Sequence, residues 1–126
     1  QARGDIAPQY TFNEYTTRER LRYLEAKNIP LVAYSCLAKG GYENPERLPA
    51  ELVTGNRLEV LKNMAKEKGV SASALAVAWM VNLHRCEGFP RVIPLFGSGN
   101  AEHFVSNLKG TELPLTDEEL SILNNA

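Results

Sequence analysis

Apolar residues fall along this chain in two patterns. Short, nearly unbroken runs at Leu31–Tyr34 (LVAY) and Arg91–Phe96 (RVIPLF) have strand length. They lack the alternation of a strand wetted on one face, which fits a parallel sheet covered on both sides. A third stretch, Ile6–Phe12 (IAPQYTF), predicts a short strand with Pro8 near its start, where a missing N–H is tolerated.

The longer stretches carry apolar residues at helical spacing. Thr16 and Glu19 have capping-box spacing, and Leu21 and Leu24 put a narrow apolar stripe on a helix that runs to about Lys27 and stops at Asn28. In NRLEVLKNMAKEK, Asn56 to Lys68, the residues Leu58, Leu61 and Ala65 share one side and Gly69 closes the helix. Ser71 caps the next helix, whose run SALAVAWMVNLH is apolar nearly all round and predicts deep burial. Asn100 caps a helix over Ala101–Leu108 that stops at Gly110, and Thr116 with Glu119 repeats the capping-box spacing before a final helix.

Between the second strand and the second helix, Ser35 to Gly55 contains Gly40, Gly41, Pro45 and Pro49 and predicts irregular chain. At about twenty residues it is long for a connection in a compact domain, and such loops are usually functional. The order is strand, helix, strand, long loop, two helices, strand, helix, helix. That alternation argues for about three parallel strands with helical crossovers in an α/β fold, and a length of 126 residues argues for one domain over residues 1–126.

Composition narrows the function classes. Hydrophobic residues make up 44% and charged residues 23%, as in an ordinary globular protein, and 14 basic against 15 acidic side chains leave a net charge of -1. A chain so balanced lacks the basic stripe that nucleic acid or an anionic membrane surface demands, so neither is expected as a partner. No run approaches the ~18 apolar residues of a membrane span. Cys36 and Cys86 have neither C-x-x-C spacing nor a companion histidine pair at metal-ligand intervals, so no metal site is expected and both thiols read as reduced, in a cytoplasmic protein. The chain opens at Gln1 rather than methionine, which fits processing or a piece of something longer.

The candidate chemistry sits where strands end. In GSGNAEH, Gly97 to His103, a glycine-serine turn runs directly into a helix start, leaving N–H groups to face an anion such as phosphate. The same residues also serve an ordinary strand-to-helix turn. Ser35, Lys39 and Gly40 form a second small cradle with one mobile ammonium, although a loop lysine is commonly just solvated. Tyr34 can stack on a planar ring or act as a core tyrosine with a wet hydroxyl. Neither His84 nor His103 has a partner at a spacing that nucleophilic catalysis requires, and Cys36 without a base reads as a packed thiol.

LVAYSCLAKGGY, NPERLPAEL, LEVLKNMAKEKGVSASALAVAW, VIPLFGSGNAEHFVSNLKG and LTDEELSILN together resemble the carboxyl-terminal part of an aldo-keto reductase, in that family's order and roughly its spacing. The resemblance implies an incomplete (β/α)8, or TIM, barrel and an oxidoreductase that reduces aldehydes or ketones by hydride transfer from NADP(H), with NAD as the alternative. Position by position, Gln9 matches the glutamine that holds the nicotinamide carboxamide and Tyr34 the tyrosine that stacks on that ring. Ser35, Leu37, Lys39 and Gly40 match the loop along the pyrophosphate; Gly97, Ser98 and His103 match the surroundings of the adenosine 2'-phosphate; Asn107 matches the adenine contact.

The sequence departs from the family in several places. Cys36 replaces the usual proline after Tyr-Ser, Gly97 stands where some members have lysine, and His103 where many have arginine. A neutral imidazole lacks the bidentate grip of arginine on phosphate, which loosens the preference for NADP over NAD. Ser106 replaces a frequent glutamate near the adenine. No segment matches the family's catalytic aspartate, tyrosine, lysine and histidine, so no catalytic residue is assigned. The chain alone is expected to be an inactive fragment of the parent enzyme that pairs with a missing amino-terminal half or with itself, because a full barrel needs roughly 250 residues. A cofactor-binding sensor or accessory subunit without turnover, and a truncated product that binds nothing tightly, are the alternatives.

Overall fold

The computed structural model describes residues 16–48 and 55–126. The strand expected at Ile6–Phe12, and Gln9 within it, lie outside the described residues. Helix α1 spans Arg18–Ala26. Its cap is Thr17 rather than Thr16: Thr17 has the extended backbone that an N-cap needs, and its hydroxyl accepts from the Arg20 N–H at 3.2 Å. Glu19 instead sits in the first turn, where a carboxylate complements the helix dipole. Asn28 stops the helix in a left-handed conformation, φ 53°.

Strand β1 (Leu31–Tyr34) and strand β2 (Val92–Leu95) are hydrogen-bonded neighbours, parallel, with Leu31 opposite Val92 and Tyr34 opposite Leu95. This register sorts their side chains. Leu31, Ala33 and Val92 pack on the helical layer, whereas Val32, Tyr34, Ile93 and Leu95 share the other face and are 55%, 68%, 47% and 52% exposed. Among the described residues the sheet is therefore covered on one side only. The unbroken apolar runs report that both faces can be buried, and not which segment buries them, so among the described residues cover is seen on one face.

The connection between the strands carries helix α2 (Arg57–Lys68) and helix α3 (Ala72–Asn82), the latter followed by a 3-10 turn at Leu83–Arg85. Gly69 closes α2 at φ 67°, and its N–H bonds to the Ala65 and Lys66 carbonyls. The buried stripe of α2 falls on Met64 and Ala65, with Leu58 and Leu61 half-buried. Ser71 caps α3 by accepting from the Ala74 N–H at 3.0 Å.

Helix α3 is the centre of the molecule, as its all-round apolar pattern predicts. Ala76, Val77, Met80 and Leu83 meet the sheet through Val92 and Leu37. Its other side, Leu75 and Ala78, meets Met64 and Ala65 of α2 together with Leu115 and Leu120. Trp79 is half-buried and donates its indole N–H to Asn124 at 2.8 Å.

Helix α4 (Ala101–Lys109) and helix α5 (Asp117–Asn125) complete the order. Thr116 and Glu119 form the predicted capping box, with bonds of 2.8 and 3.1 Å. Glu119 also pairs with Lys68 at 2.7 Å, which ties α5 to α2 and holds its carboxyl below the ordinary range. Gly110, after α4, lies against the Ala74 carbonyl and Val77 so closely that a Cβ would overlap both. Among the described residues no helix is long and apolar enough to cross a membrane.

Candidate functional site

At the carboxyl end of β1 the chain turns sharply. Ser35, Ala38 and Lys39 are left-handed at φ 55°, 49° and 53°, followed by Gly40 at 81°. For residues with a Cβ such a conformation costs about 1 kcal/mol or more each, so neighbouring contacts must hold it. Those contacts are identifiable. Leu37 and Leu48 are buried, the Tyr42 hydroxyl donates to the Cys36 carbonyl at 3.2 Å, and the Ser73 N–H donates to Glu43 Oε1 at 2.8 Å. Within the stretch expected to be irregular, residues 35–48 are thus folded into an arch with 3-10 turns at Ala38–Gly40 and Pro45–Arg47.

The end of β2 supplies the facing wall. Phe96 packs on Phe104 of α4 with ring centroids 5.8 Å apart, which fixes the exit of the strand against the helix. Asn107 of α4 is buried, and the hydroxyls of Ser71 and Ser106 lie 3.5 Å apart. Between arch and turn runs a cleft of about 840 Å³.

Tyr34, Ser35, Leu37, Lys39, Gly40, Gly97, Ser98, His103 and Asn107 all line this cleft. The two strand ends read separately from the sequence therefore face one space. Gln9 falls outside the described residues. His84 lies elsewhere, its Nδ1 2.9 Å from the Val81 carbonyl.

One expectation needs correcting. The N–H groups at the start of α4 do not all face outward, because Asn100 Oδ1 accepts from Glu102 and His103 at 2.9 and 3.2 Å, and Ser98 Oγ accepts from Asn100 at 3.1 Å. Capping and anion binding draw on the same donors, and here the cap takes several of them. Any anion in the cleft relies more on side-chain cations. Lys39 and Arg47 both line it, and neither belongs to an ion pair among the described residues.

The cleft also holds groups that sequence reasoning missed, namely Glu43, Asn44, Arg47 and Ser73. Their only signal is that they sit in, or opposite, an over-long loop. Cys36 is half-buried with Sγ 3.6 Å from the Leu95 carbonyl, and loss of hydration pushes its thiol up despite hydrogen bonds that oppose the shift. Burial likewise raises Tyr42, with the nearby Cys36 adding to it. Neither group is activated as a nucleophile or acid. Among the described residues no cluster of His, Cys, Asp and Glu could hold a metal ion.

Parallel strands backed by helices, with a cleft of mixed character at the strands' carboxyl ends, make this part of an α/β barrel, with the candidate site on the face where such barrels hold their ligands. The family model described as "Aldo/keto reductase family" matches residues 5–126, and the chain belongs to that family of oxidoreductases, which use nicotinamide cofactors. It is similar to norsolorinic acid reductase A of Aspergillus parasiticus, at 25% identity over 86% of this chain and 29% of that protein. Norsolorinic acid reductase stcV of Emericella nidulans is 28% identical over 82% of this chain and 28% of its own length. The thermostable aldo-keto reductase Tm1743, solved in complex with the inhibitor epalrestat, matches 84% of this chain and 32% of its own at 27% identity and a TM-score of 0.62. The chain spans less than a third of the length of these relatives.

Proposed function

We propose that this chain is the dinucleotide-binding part of an NADP(H)-dependent carbonyl reductase of the cytoplasm, with the proton-donating groups supplied by barrel segments outside these residues. The observation that carries the reading is the convergence of nine residues, from two strand ends far apart in sequence, on one cleft. The cleft suits the cofactor chemically. An exposed aromatic ring, Tyr34, and a buried amide, Asn107, line it together with two cations, Lys39 and Arg47, that form no ion pair among the described residues. When bound, the dihydronicotinamide supplies a hydride to a carbonyl carbon while the carbonyl oxygen takes a proton.

The chain's own residues bind and orient. Tyr34, 68% exposed at the end of β1, offers its ring face to a planar heterocycle. Ser35, Lys39 and Gly40 of the arch line the cleft, where an ammonium neutralises a diphosphate as a mobile point charge. Ser98 and His103 bound the far end, where a neutral imidazole grips a phosphate less firmly than a guanidinium would, so NAD remains a competing cofactor. We further propose that the open sheet face of Val32, Tyr34, Ile93 and Leu95 is covered by an amino-terminal half of the barrel or by a second copy.

Titrating NADPH against the 126-residue chain and following the reduced cofactor's fluorescence tests the reading. Saturable enhancement supports it, and an unchanged signal up to millimolar cofactor leaves a chain that binds nothing tightly. Adding a separately produced amino-terminal half with a simple aldehyde should then consume NADPH. Binding without consumption would favour a cofactor-sensing or accessory role.

A further inference from the structure

We infer that Glu43 is a positioning residue for the cofactor cleft: its carboxylate clasps the arch of residues 35–48 to the start of helix α3 and so keeps the cradle open in its binding shape. The inference deepens the cofactor-binding reading and rests on it. Glu43 Oε1 accepts from the Ser73 N–H at 2.8 Å, across thirty residues of sequence. Ser73 is 5% exposed, so water is largely excluded from this N–H, and an unmatched donor there would be costly.

The bond also joins opposite walls of the cleft. On one side stands the arch, with its left-handed Ser35, Ala38, Lys39 and Gly40; on the other stand Ser71 and Ser73, with Ser71 facing Ser106 of α4. Such backbone angles persist only where surrounding contacts over-determine them. Leu37, Leu48 and the Tyr42–Cys36 bond hold the ends of the arch from within. Glu43 supplies the polar tie from its middle to the opposite wall.

The clasp and simple electrostatics predict opposite signs, which makes the inference testable. Glu43 lines a cleft that we assign to a polyanion, and removing a negative charge from such a site should, by Coulomb's law alone, tighten binding. The clasp requires the reverse when the acceptor is lost and no loss when only the charge is lost. In NADPH titrations of the 126-residue chain, Glu43→Ala should weaken binding by about tenfold, the scale of one hydrogen bond to a charged group. Glu43→Gln keeps a carbonyl oxygen for the Ser73 N–H and should bind as tightly as the parent chain or tighter.

Far-UV circular dichroism of both variants checks that they are folded. A folded Glu43→Ala that binds within twofold of the parent, or more tightly, overturns the clasp, as does a Glu43→Gln as weak as Glu43→Ala. Should Glu43→Ala not fold, Glu43→Met, which keeps the length of the side chain and removes the acceptor, takes its place with the same expected weakening. A parent chain that fails to bind NADPH refutes the cofactor reading itself, a result distinct from any of these.

Discussion

Cys36 shows how far a single side chain's surroundings decide its chemistry. It follows Tyr34 and Ser35 at the mouth of the cleft, yet burial raises its thiol, so at neutral pH little of it is thiolate. In a Cys86→Ser background, iodoacetamide should modify Cys36 more slowly at pH 7 than it modifies a free thiol in solution. The rate should climb as pH rises beyond the ordinary thiol range, and NADPH should slow it further by filling the cleft. Neutral-pH labelling as fast as that of a small free thiol would contradict the shift. Lys39 and Arg47 differ in kind, being cations held at the rim with no carboxylate partner among the described residues.

Local signals in the sequence carried the elements well wherever the physics is local. The cap at Ser71, the left-handed Gly69 and the Thr116–Glu119 box depend on neighbours within four residues, and all three are present. The start of α1 moved by one residue because Thr16 and Thr17 are both competent caps and only backbone geometry separates them. Glu43 was not legible, since its partner lies thirty positions away and no periodicity marks an isolated loop carboxylate. Tyr34, Ser35, Lys39, Gly40 and the turn from Gly97 to His103 are legible from the strand ends themselves, Leu37 and Asn107 only through family likeness, and the fold brings nine candidates to one space. Helix contacts set by close approach are equally silent in sequence. Gly110 admits no Cβ beside the Ala74 carbonyl and Val77, so Gly110→Ala should lower stability by about 1–3 kcal/mol, read as a reduced urea midpoint.

At the scale of the whole molecule, one face of the sheet decides behaviour. Among the described residues Val32, Tyr34, Ile93 and Leu95 form a contiguous apolar stripe on a two-stranded sheet, and strand edges left unpaired there invite further strands. Sedimentation velocity at micromolar concentration should show species heavier than one chain, and the paired change Val32→Lys and Ile93→Lys should shift them toward monomer. A clean monomer of the parent chain would argue that nothing needs to cover this face. Cofactor binding at Tyr34 engages the end of the same stripe, so association and binding should influence each other.

The lone tryptophan is tied to the last helix through Asn124 and packs against both apolar clusters, the one under the strands and the one beneath α5. Its emission during thermal or chemical denaturation will therefore register the undocking of that carboxyl-terminal segment. Because no tryptophan lines the cleft, spectra recorded this way can look native while the ligand-facing mouth has already come apart, and an optical melting curve alone will overstate how long the protein stays competent.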